Sequence, residues 1–373
     1  MKTRVAVIGG GNGGQALAGH LGMRGFDVRL FEDPRFEANV AEVRSSGLIK
    51  LKGAIDGSGP VLATTDPGEA MEGVRLAYFV VPSFGQMPLF RAVLPFMGHG
   101  TTAVFIPGNL GSLEAIQVLE EAGRSGEILL AETDTMPYAC RLEKPGYVHV
   151  WGIKKGMSVA ALPGSASAET AERLAETFPL PLEPVGDVLA VALSNLNMVV
   201  HCASVLLNAG RIEATGGNFR FYTDGATPSV GKLMEGIDRE RLAVGKAFGI
   251  DLPPAADWIR RAYPVEGESL HELLSNNPVY ASHGPDAPKN MRHRYVAEDV
   301  PNLLVPLCEL GRLGGVPTPL ASAVVTLLSE IAGEDFTRTG RNLEKLGLAG
   351  MTPEQVRKKV RGDSASGGGG KRG

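Results

Sequence analysis

Residues 4–33 constrain the fold of this chain more than any other segment. VAVIG (residues 5–9) is an apolar run, Gly11 and Gly14 complete a G-x-G-x-x-G pattern, and DVRLFE (27–32) is a second apolar run. A strand, a tight turn that opens a helix, and a second strand are the parts of a βαβ unit. The segment therefore predicts a parallel sheet that starts at the N-terminus.

The same glycines predict a dinucleotide site at the start of the helix. Gly9 allows the tight turn, Gly11 the close approach of a pyrophosphate, and Gly14 the packing of helix on strand. Asn12 and Gly13 lie at the helix start, where unpaired N–H groups and the helix dipole favour an anion. The alternative is a glycine-rich turn that holds no ligand.

Two acidic residues at the end of the second strand bear on the choice of cofactor. Glu32 and Asp33 are placed to accept the adenine-ribose hydroxyls and to repel a 2′-phosphate, which favours NAD. Arg29 and Arg35 lie close enough to keep NADP as the alternative.

Polar residues also follow the fourth and fifth predicted strands, Ser83 in VVPSFG and Asn109 in IPGNLGS. The carboxyl ends of strands face the cofactor crevice in such sheets, so we expect both residues to bind the cofactor. The open alternative is that each residue caps the helix that follows it.

The chain changes character near residues 182–187, where strand-like runs alternating with helices give way to helical patterns. This change predicts a doubly wound parallel sheet in a dinucleotide-binding domain (1–185), a helical substrate domain (186–361) and a disordered tail (362–373). Further strands are predicted at 61–65, 76–82, 102–107 and 127–132, with two more in 147–164. Helices are predicted at 13–25, 188–210, 228–249, 254–263 and 317–333, and a last one has Thr352 as N-cap and Pro353 as first residue.

Composition argues against several classes of partner. Apolar residues make up 43% and charged residues 21% of the chain, and the net charge is −4, so neither nucleic acid nor a membrane is expected as a partner. A secretory signal and a long uninterrupted apolar run are absent, which favours a cytoplasmic location. Cys140, Cys202 and Cys308 are widely separated, which predicts reduced thiols and no metal site.

A polar stripe runs along the apolar segment SNLNMVVHCASVLLN, residues 194–208. Its members recur at spacings of three and four, the period of one helical face: Ser194, Asn197, His201, Ser204 and Asn208. His201 is the candidate for acid–base chemistry, because imidazole titrates near neutral pH. The alternative is a core histidine that is hydrogen-bonded to Asn197 or Ser204.

RHRYVAEDVPNLLVP, residues 292–306, combines cations, acids and an apolar helix start. Asp299 can be read as an N-cap, with Pro301 in the first turn and Pro306 restarting the helix. Arg294 can be read as a surface cation. A functional role for both residues is the open alternative.

Five segments resemble the opine dehydrogenases, the octopine/nopaline dehydrogenase family, in order and approximate spacing. They are IGGGNGGQALA (8–18), ETDTMPYACR (132–141), FYTDGATPSV (221–230), DRERLAVGKAFGI (238–250) and RYVAEDVP (294–301). The resemblance implies a Rossmann domain joined to a helical domain. It also implies NAD(P)H-dependent reductive condensation of a 2-oxo acid, often pyruvate, with the amino group of an amino acid.

The resemblance also implies roles for residues of the second half. His201 matches the family's catalytic histidine, and Arg294 and Asp299 match its arginine and aspartate. We expect His201 to be the general acid/base, Asp299 to orient its ring, and Arg294 to bind the substrate carboxylate. Asn197, one turn before His201, is a candidate for substrate binding. The oligomeric state is left open, with a homodimer as one option.

Two other functions stay open. A related two-domain dehydrogenase of a hydroxy acid or polyol phosphate generally relies on a lysine in the helical domain, and the first long helix here contains none. A non-catalytic NAD-binding sensor needs a partner-binding segment, which neither the charge pattern nor an extra domain supplies.

Overall fold

The computed structural model describes residues 2–281 and 286–362, which belong to two compact units. Of these residues, 2–192 and 358–362 belong to the first unit, and 193–281 and 286–357 belong to the second. The two units divide seven residues after the predicted domain boundary at residue 185.

The predicted end of the helical domain at residue 361 also needs correction, because the last residues of the final helix belong to the first unit. Arg361 anchors them, since its Nε donates a hydrogen bond to Asp187 Oδ2 at 3.1 Å. A Cβ added to Gly362 would lie 2.4 Å from Pro163 Cβ, so the backbone is in close contact there. The rest of the predicted disordered tail lies outside the described residues.

The first unit is built on a large, mostly parallel sheet. Its strands, together with those of a second, smaller sheet, are β1 (Arg4–Ile8), β2 (Asp27–Phe31), β3 (Leu48–Gly53), β4 (Gly57–Pro60), β5 (Leu62–Thr64), β6 (Leu76–Phe79), β7 (Thr102–Phe105), β8 (Leu129–Thr133), β9 (Tyr138–Lys144), β10 (Tyr147–Ile153), β11 (Met157–Leu162) and β12 (Leu182–Pro184). The large sheet has eight strands in the order β12-β11-β8-β7-β6-β1-β2-β5. Within it, β11 pairs antiparallel with β8 and the other pairs are parallel. Strands β6 and β7 are buried along their whole length, as central parallel strands are.

The helices of the chain are α1 (Asn12–Met23), α2 (Ala41–Ser46), α3 (Pro67–Met71), α4 (Ser83–Val93), α5 (Gly111–Glu121), α6 (Ser167–Ala175), α7 (Val188–Leu193), α8 (Asn197–Leu207), α9 (Ala209–Thr215), α10 (Pro228–Ala247), α11 (Ala255–Ala262), α12 (Leu270–Ser275), α13 (Pro278–Ala281), α14 (Arg294–Ala297), α15 (Val305–Gly314), α16 (Pro319–Ala332), α17 (Phe336–Thr339) and α18 (Pro353–Arg361). Short 3₁₀ helices occur at Pro34–Asn39, Leu94–Phe96 and Gly164–Ala166, and a π-helix at Val300–Leu304. The parallel-dominated sheet followed by a helical unit confirms the predicted fold class.

A second sheet, of order β4-β3-β10-β9, was not predicted. It packs on α1 through glycines, and a Cβ added to Gly22 would lie 2.5 Å from the Pro60 carbonyl oxygen. Apolar residues of β1 and α1 share one core with Ile49 and Val148 of this sheet. The two strands predicted within 147–164 exist, but β10 lies in this second sheet and β11 in the large one.

The predicted helix 188–210 is divided into α7, α8 and α9. The first break occurs where Asn195 Oδ1 accepts the backbone N–H of Asn197 at 3.1 Å, an interaction that competes with a continuous helix. Residues 188–207 are long and apolar enough to cross a membrane, but 78% of their most apolar window is buried in the protein. A core helix meets the same criterion.

The start predicted for the last helix is confirmed. Thr352 Oγ1 accepts the N–H of Gln355 at 3.3 Å, and Gln355 Oε1 accepts the N–H of Thr352 at 2.7 Å. This reciprocal pair is a capping box, with Pro353 as the first helical residue.

Candidate active site

Each glycine of the fingerprint meets a different spatial demand. Gly9 has φ +110°, in the left-handed region, and a Cβ there would lie 2.3 Å from Val81 Cγ1. A Cβ on Gly14 would lie 1.8 Å from the Gly9 carbonyl oxygen, so the helix rests directly on the end of the strand. A Cβ on Gly11 would meet no atom within 4 Å. The backbone at Gly11 therefore borders open space that a phosphate group can occupy.

The start of α1 carries no side-chain cap and no acidic residue in its first turn. The side chain of Asn12 is used elsewhere, because its Oδ1 accepts the N–H of Leu142 at 2.9 Å. Gly13 packs closely against Met136, whose Cε would lie 2.1 Å from an added Cβ. Within the described residues, the helix start therefore has no side-chain cap that would compete with a bound anion.

Glu32, predicted to bind the adenine ribose, holds the glycine-rich loop. Its buried carboxylate accepts the N–H groups of Gly10 at 3.1 Å and Asp33 at 3.0 Å, and the side-chain amide of Asn39 at 3.0 Å. Asp33 forms two bonds with the Arg35 guanidinium, at 2.8 and 2.9 Å, and these bonds lower the pKa of its carboxyl. Both carboxylates lie at the predicted place, and their contact with ribose stays a prediction.

Ser83 and Asn109 lie together in the loops that follow β6 and β7, and Asn109 Nδ2 donates to Ser83 Oγ at 2.9 Å. Pro82 and Leu110 occupy the N-cap positions of α4 and α5, so neither Ser83 nor Asn109 is at the N-cap position of the helix that follows it. Asn109 and Leu110 have φ values of +54° and +69°, which non-glycine residues rarely adopt.

A buried carboxylate holds this strained loop in place. Glu132 is fully buried at the end of β8, and it accepts the N–H groups of Leu110 at 2.9 Å and Ser112 at 2.7 Å. The pair of positive φ angles is thus fixed by a side chain from a neighbouring strand.

A further polar cluster in the first unit, which the sequence patterns did not single out, follows β8. Lys154 Nζ donates to Thr135 Oγ1 at 2.7 Å, and Asp134 Oδ1 accepts the N–H of Ser158 at 3.2 Å. Burial raises the pKa of Asp134 to about 6, and the nearby Lys154 partly opposes that shift. Burial also lowers the pKa of Lys154. The sequence signal that could have identified this cluster is the presence of charged residues directly beside the ends of strands.

In the second unit, the predicted pair of His201 and Asp299 is in direct contact. His201 lies in α8, and its Nδ1 is 2.8 Å from Asp299 Oδ2. Asp299 is 1% exposed and occupies the N-cap position of the π-helix, with Pro301 in the first turn as the N-cap interpretation expected, but its carboxylate makes no side-chain capping bond there. The predicted restart of the helix is confirmed, since α15 begins at Val305 with Pro306 in its first turn.

Two tyrosines complete the surroundings of His201. Its Nε2 lies 2.8 Å from Tyr222 Oη, which in turn lies 3.2 Å from Tyr295 Oη. The Tyr295 ring stacks on the imidazole with centroids 3.8 Å apart. Burial raises the pKa of both tyrosines, so both are phenols at neutral pH. The sequence reasoning missed them, although each lies in a segment that carries the family resemblance.

The rest of the polar stripe differs in role from His201. The Asn208 side chain donates to the carbonyl oxygens of Ser204 at 2.9 Å and Gly225 at 3.0 Å, which is plain hydrogen-bond filling. Ser204 Oγ is buried and has no hydrogen-bond partner in the described part of the chain. Within the described residues, the Asn197 side-chain amide has no partner either. Ser194 precedes the start of α8 and is not on that helix. His201 is bonded to neither Asn197 nor Ser204.

Arg294 begins α14, and its side chain is half exposed. Its Nε donates to Glu298 Oε2 at 3.1 Å, whereas Nη1 and Nη2 make no hydrogen bond within residues 2–281 and 286–362. Those two nitrogens are the donors that bind a carboxylate in bidentate fashion. Burial and the adjacent Arg294 lower the pKa of His293 to about 4, so this second histidine is neutral at pH 7.

No group of three or more His, Cys, Asp or Glu side chains that could hold a metal ion occurs within the described ranges. Cys140, Cys202 and Cys308 are free thiols. Burial raises the pKa of all three, which disfavours their thiolate forms.

Two family models match the chain. Residues 184–332 match the alpha-helical domain of NAD/NADP octopine/nopaline dehydrogenase. Residues 4–108 match the N-terminus of NAD-dependent glycerol-3-phosphate dehydrogenase.

Known proteins match this chain over nearly its whole length. Opine dehydrogenase of Arthrobacter sp. (strain 1C) is 37% identical over 358 residues, which cover 95% of this chain and 98% of that protein. Protein ocs of Agrobacterium vitis is 28% identical, with 96% and 99% covered. The structure of octopine dehydrogenase with NADH and L-arginine superposes with a TM-score of 0.79 at 20% identity, covering 97% of this chain and 99% of that one.

Proposed function

Because the chain belongs to the opine dehydrogenase family and is an NAD(P)-dependent oxidoreductase, we propose that it condenses a pyruvate-like 2-oxo acid with the amino group of an amino acid and reduces the product. The observation that carries this proposal is the His201–Asp299 contact of 2.8 Å, together with Arg294, whose Nη1 and Nη2 make no hydrogen bond to the described residues. His201, 98 residues from Asp299 in sequence, thus contacts the same aspartate that Arg294 precedes by five residues.

The residues of the second unit supply the proton chemistry. Attack of the amine on the oxo carbon gives a carbinolamine, whose oxygen needs a proton before it can leave as water. His201 supplies that proton. The Asp299 carboxylate stabilises the imidazolium form that carries it and fixes the orientation of the ring. Arg294 binds the substrate carboxylate through Nη1 and Nη2, and Asn197 is placed to contact substrate. Bound NADH supplies the hydride that reduces the imine.

The residues of the first unit fit a bound dinucleotide. The open space beside Gly11 and the uncapped start of α1 suit a pyrophosphate. NAD is the proposed cofactor, because a 2′-phosphate would meet the Glu32 and Asp33 carboxylates, and Asp33 already engages the Arg35 guanidinium. Ser83 and Asn109, at the ends of adjacent strands, are proposed to contact the cofactor as well.

The proposal is tested by following NADH oxidation with pyruvate and each amino acid in turn, and by identifying the product by mass. Oxidation that requires both substrates and yields the N-carboxyethyl amino acid is the expected result. Oxidation with an oxo acid alone would indicate a hydroxy-acid dehydrogenase instead. Binding of NADH without turnover under any combination would indicate a sensor. Repeating the assay with NADPH tests the cofactor assignment.

A further inference from the structure

Both ring nitrogens of His201 are engaged by other side chains. Nδ1 is 2.8 Å from Asp299 Oδ2, and Nε2 is 2.8 Å from Tyr222 Oη. A proton therefore cannot pass between Nε2 and a substrate unless Tyr222 either carries it or moves away. The hydrogen bonds and the packing of Tyr222 distinguish proton transfer through its hydroxyl from displacement of that hydroxyl.

Hydrogen-bond chemistry fixes the direction of the bonds. A carboxylate only accepts, so Nδ1 carries a hydrogen and donates to Asp299. In the neutral ring Nε2 must accept, so the Tyr222 hydroxyl donates to it and in turn accepts from Tyr295, 3.2 Å away. When Nε2 is protonated, the bond to Tyr222 runs the other way and the Tyr222 hydrogen is released to point elsewhere. Both ring nitrogens of His201 therefore keep a hydrogen-bond partner whether the ring is neutral or protonated.

The Tyr222 ring is held in place by its neighbours. It stacks on Tyr280 with centroids 4.3 Å apart and 17° between the planes, and Phe221 meets it edge-on at 5.3 Å. Displacing the hydroxyl from Nε2 would disrupt these contacts, whereas proton transfer through it moves no heavy atom. This difference favours transfer over displacement.

We propose that Tyr222 is a catalytic residue that carries the proton between His201 and the substrate oxygen, an inference that rests on the proposed function. As the carbinolamine oxygen leaves, the Tyr222 O–H bond breaks and its proton goes to that oxygen. At the same time the Nε2–H bond of the imidazolium breaks and that proton goes to Tyr222 Oη. The imidazolium becomes imidazole, water is released, and the tyrosine ends as the phenol it was.

The test compares Tyr222→Phe with Tyr280→Phe. Both changes remove one hydroxyl and keep the stacked rings, but the Tyr280 hydroxyl contacts Tyr263 Oη at 3.4 Å and not His201. Tyr222→Phe is expected to lower kcat about 100-fold, to leave KM for the oxo acid within about threefold of wild type, and to alter the pH profile of kcat. Tyr280→Phe is expected to leave kcat and its pH profile unchanged. Circular dichroism checks that both variants are folded.

A second measurement does not depend on turnover. In ¹⁵N NMR of the labelled protein, the Nε2 resonance and the titration midpoint of His201 should change in Tyr222→Phe and stay the same in Tyr280→Phe. Near-wild-type kcat in Tyr222→Phe would overturn the proposal in favour of displacement by substrate. An unchanged His201 titration would overturn it as well, whichever substrates the enzyme accepts. Absence of condensation by the wild-type enzyme, with the NMR change present, would instead refute the proposed function.

Discussion

The carboxylates at the two sites hold different kinds of group. In the first unit, Glu32 and Glu132 accept backbone N–H groups of the glycine-rich loop and of the loop after β7. In the second unit, Asp299 contacts the ring of His201. The difference belongs to the sites and not to the units, since Glu240 of the helical unit also accepts backbone N–H groups. We expect a carboxylate that accepts backbone N–H groups to fix the shape of a loop, and one that contacts a titratable ring to affect the proton transfers of that ring.

The largest effect should follow from breaking the His201–Asp299 contact. Asp299→Asn retains shape but removes the charge that stabilises the imidazolium, and His201→Ala removes the ring. Each change should lower kcat about a thousandfold, an effect of about 4 kcal/mol on the barrier. Steady-state kinetics measures the loss, and fluorescence titration should show NADH affinity almost unchanged.

Glu132→Gln is the matched control for Asp299→Asn, because it also exchanges a buried carboxylate for an amide. It places an N–H donor against the N–H groups of Leu110 and Ser112, and it should destabilise the protein by about 1–3 kcal/mol. The turnover of the folded fraction should fall far less than in Asp299→Asn. Equal losses of kcat in the two variants would mean that Asp299 has only a structural role.

A second pair of variants separates shape from ligand binding in the glycine-rich loop. Gly14→Ala should destabilise the free protein by about 3 kcal/mol, since its Cβ would lie 1.8 Å from the Gly9 carbonyl oxygen. Gly11→Ala should leave the free energy of unfolding within about 0.5 kcal/mol of wild type, and weaken NADH binding about tenfold. Urea unfolding and NADH titration measure the two effects. Loss of stability in Gly11→Ala would contradict the open space found beside it.

Most strands of the large sheet were predictable because they are buried apolar runs, whereas its edge strand β12 (LEP) and the second sheet were not. LIKLKG of β3 alternates apolar residues with lysines, and GSGP of β4 holds glycine and proline, so neither resembles a buried strand. The pairing of β3 with β10 joins segments far apart in the chain, such as Leu51 and Val148. Local patterns do not encode such long-range pairing.

The candidate site divides in the same way. The helical period placed His201 on a polar face, and the family resemblance added Arg294 and Asp299. Nothing local to Tyr222 indicates that its hydroxyl reaches Nε2, because tyrosine is common in cores and at surfaces. Likewise, the cluster of Glu32 with the glycine-rich loop appears only when β1 and β2 are side by side.

Asp134 sharpens the comparison, because it is a carboxylate of the first unit that should titrate near neutral pH. Burial raises its pKa from 3.8 to about 6, so the folded state binds the proton more tightly than the unfolded state. Its contribution to stability is therefore fully present below pH 4 and is lost as pH rises through 6, by at most about 3 kcal/mol. Urea unfolding between pH 4.5 and 7 should show this loss in the wild type and a flatter profile in Asp134→Asn. Parallel profiles would show that Asp134 does not titrate in that window.

Arg294→Lys should have a smaller effect than the changes at His201, Asp299 and Gly14. Glu298 accepts the Nε–H of Arg294, and we propose that Nη1 and Nη2, unbonded within the described residues, bind the substrate carboxylate. Lysine keeps the charge but lacks this planar pair of donors. KM for the oxo acid should rise about tenfold, which is 1.4 kcal/mol, with a smaller change in kcat. Arg292→Lys is the control, because Arg292 is an exposed cation two residues away. If both variants raise KM equally, Arg294 acts through its charge alone. The hydrogen bond from Arg294 Nε to Glu298 would then fix the position of the side chain without contributing to substrate binding, just as Glu32 and Glu132 fix the position of backbone.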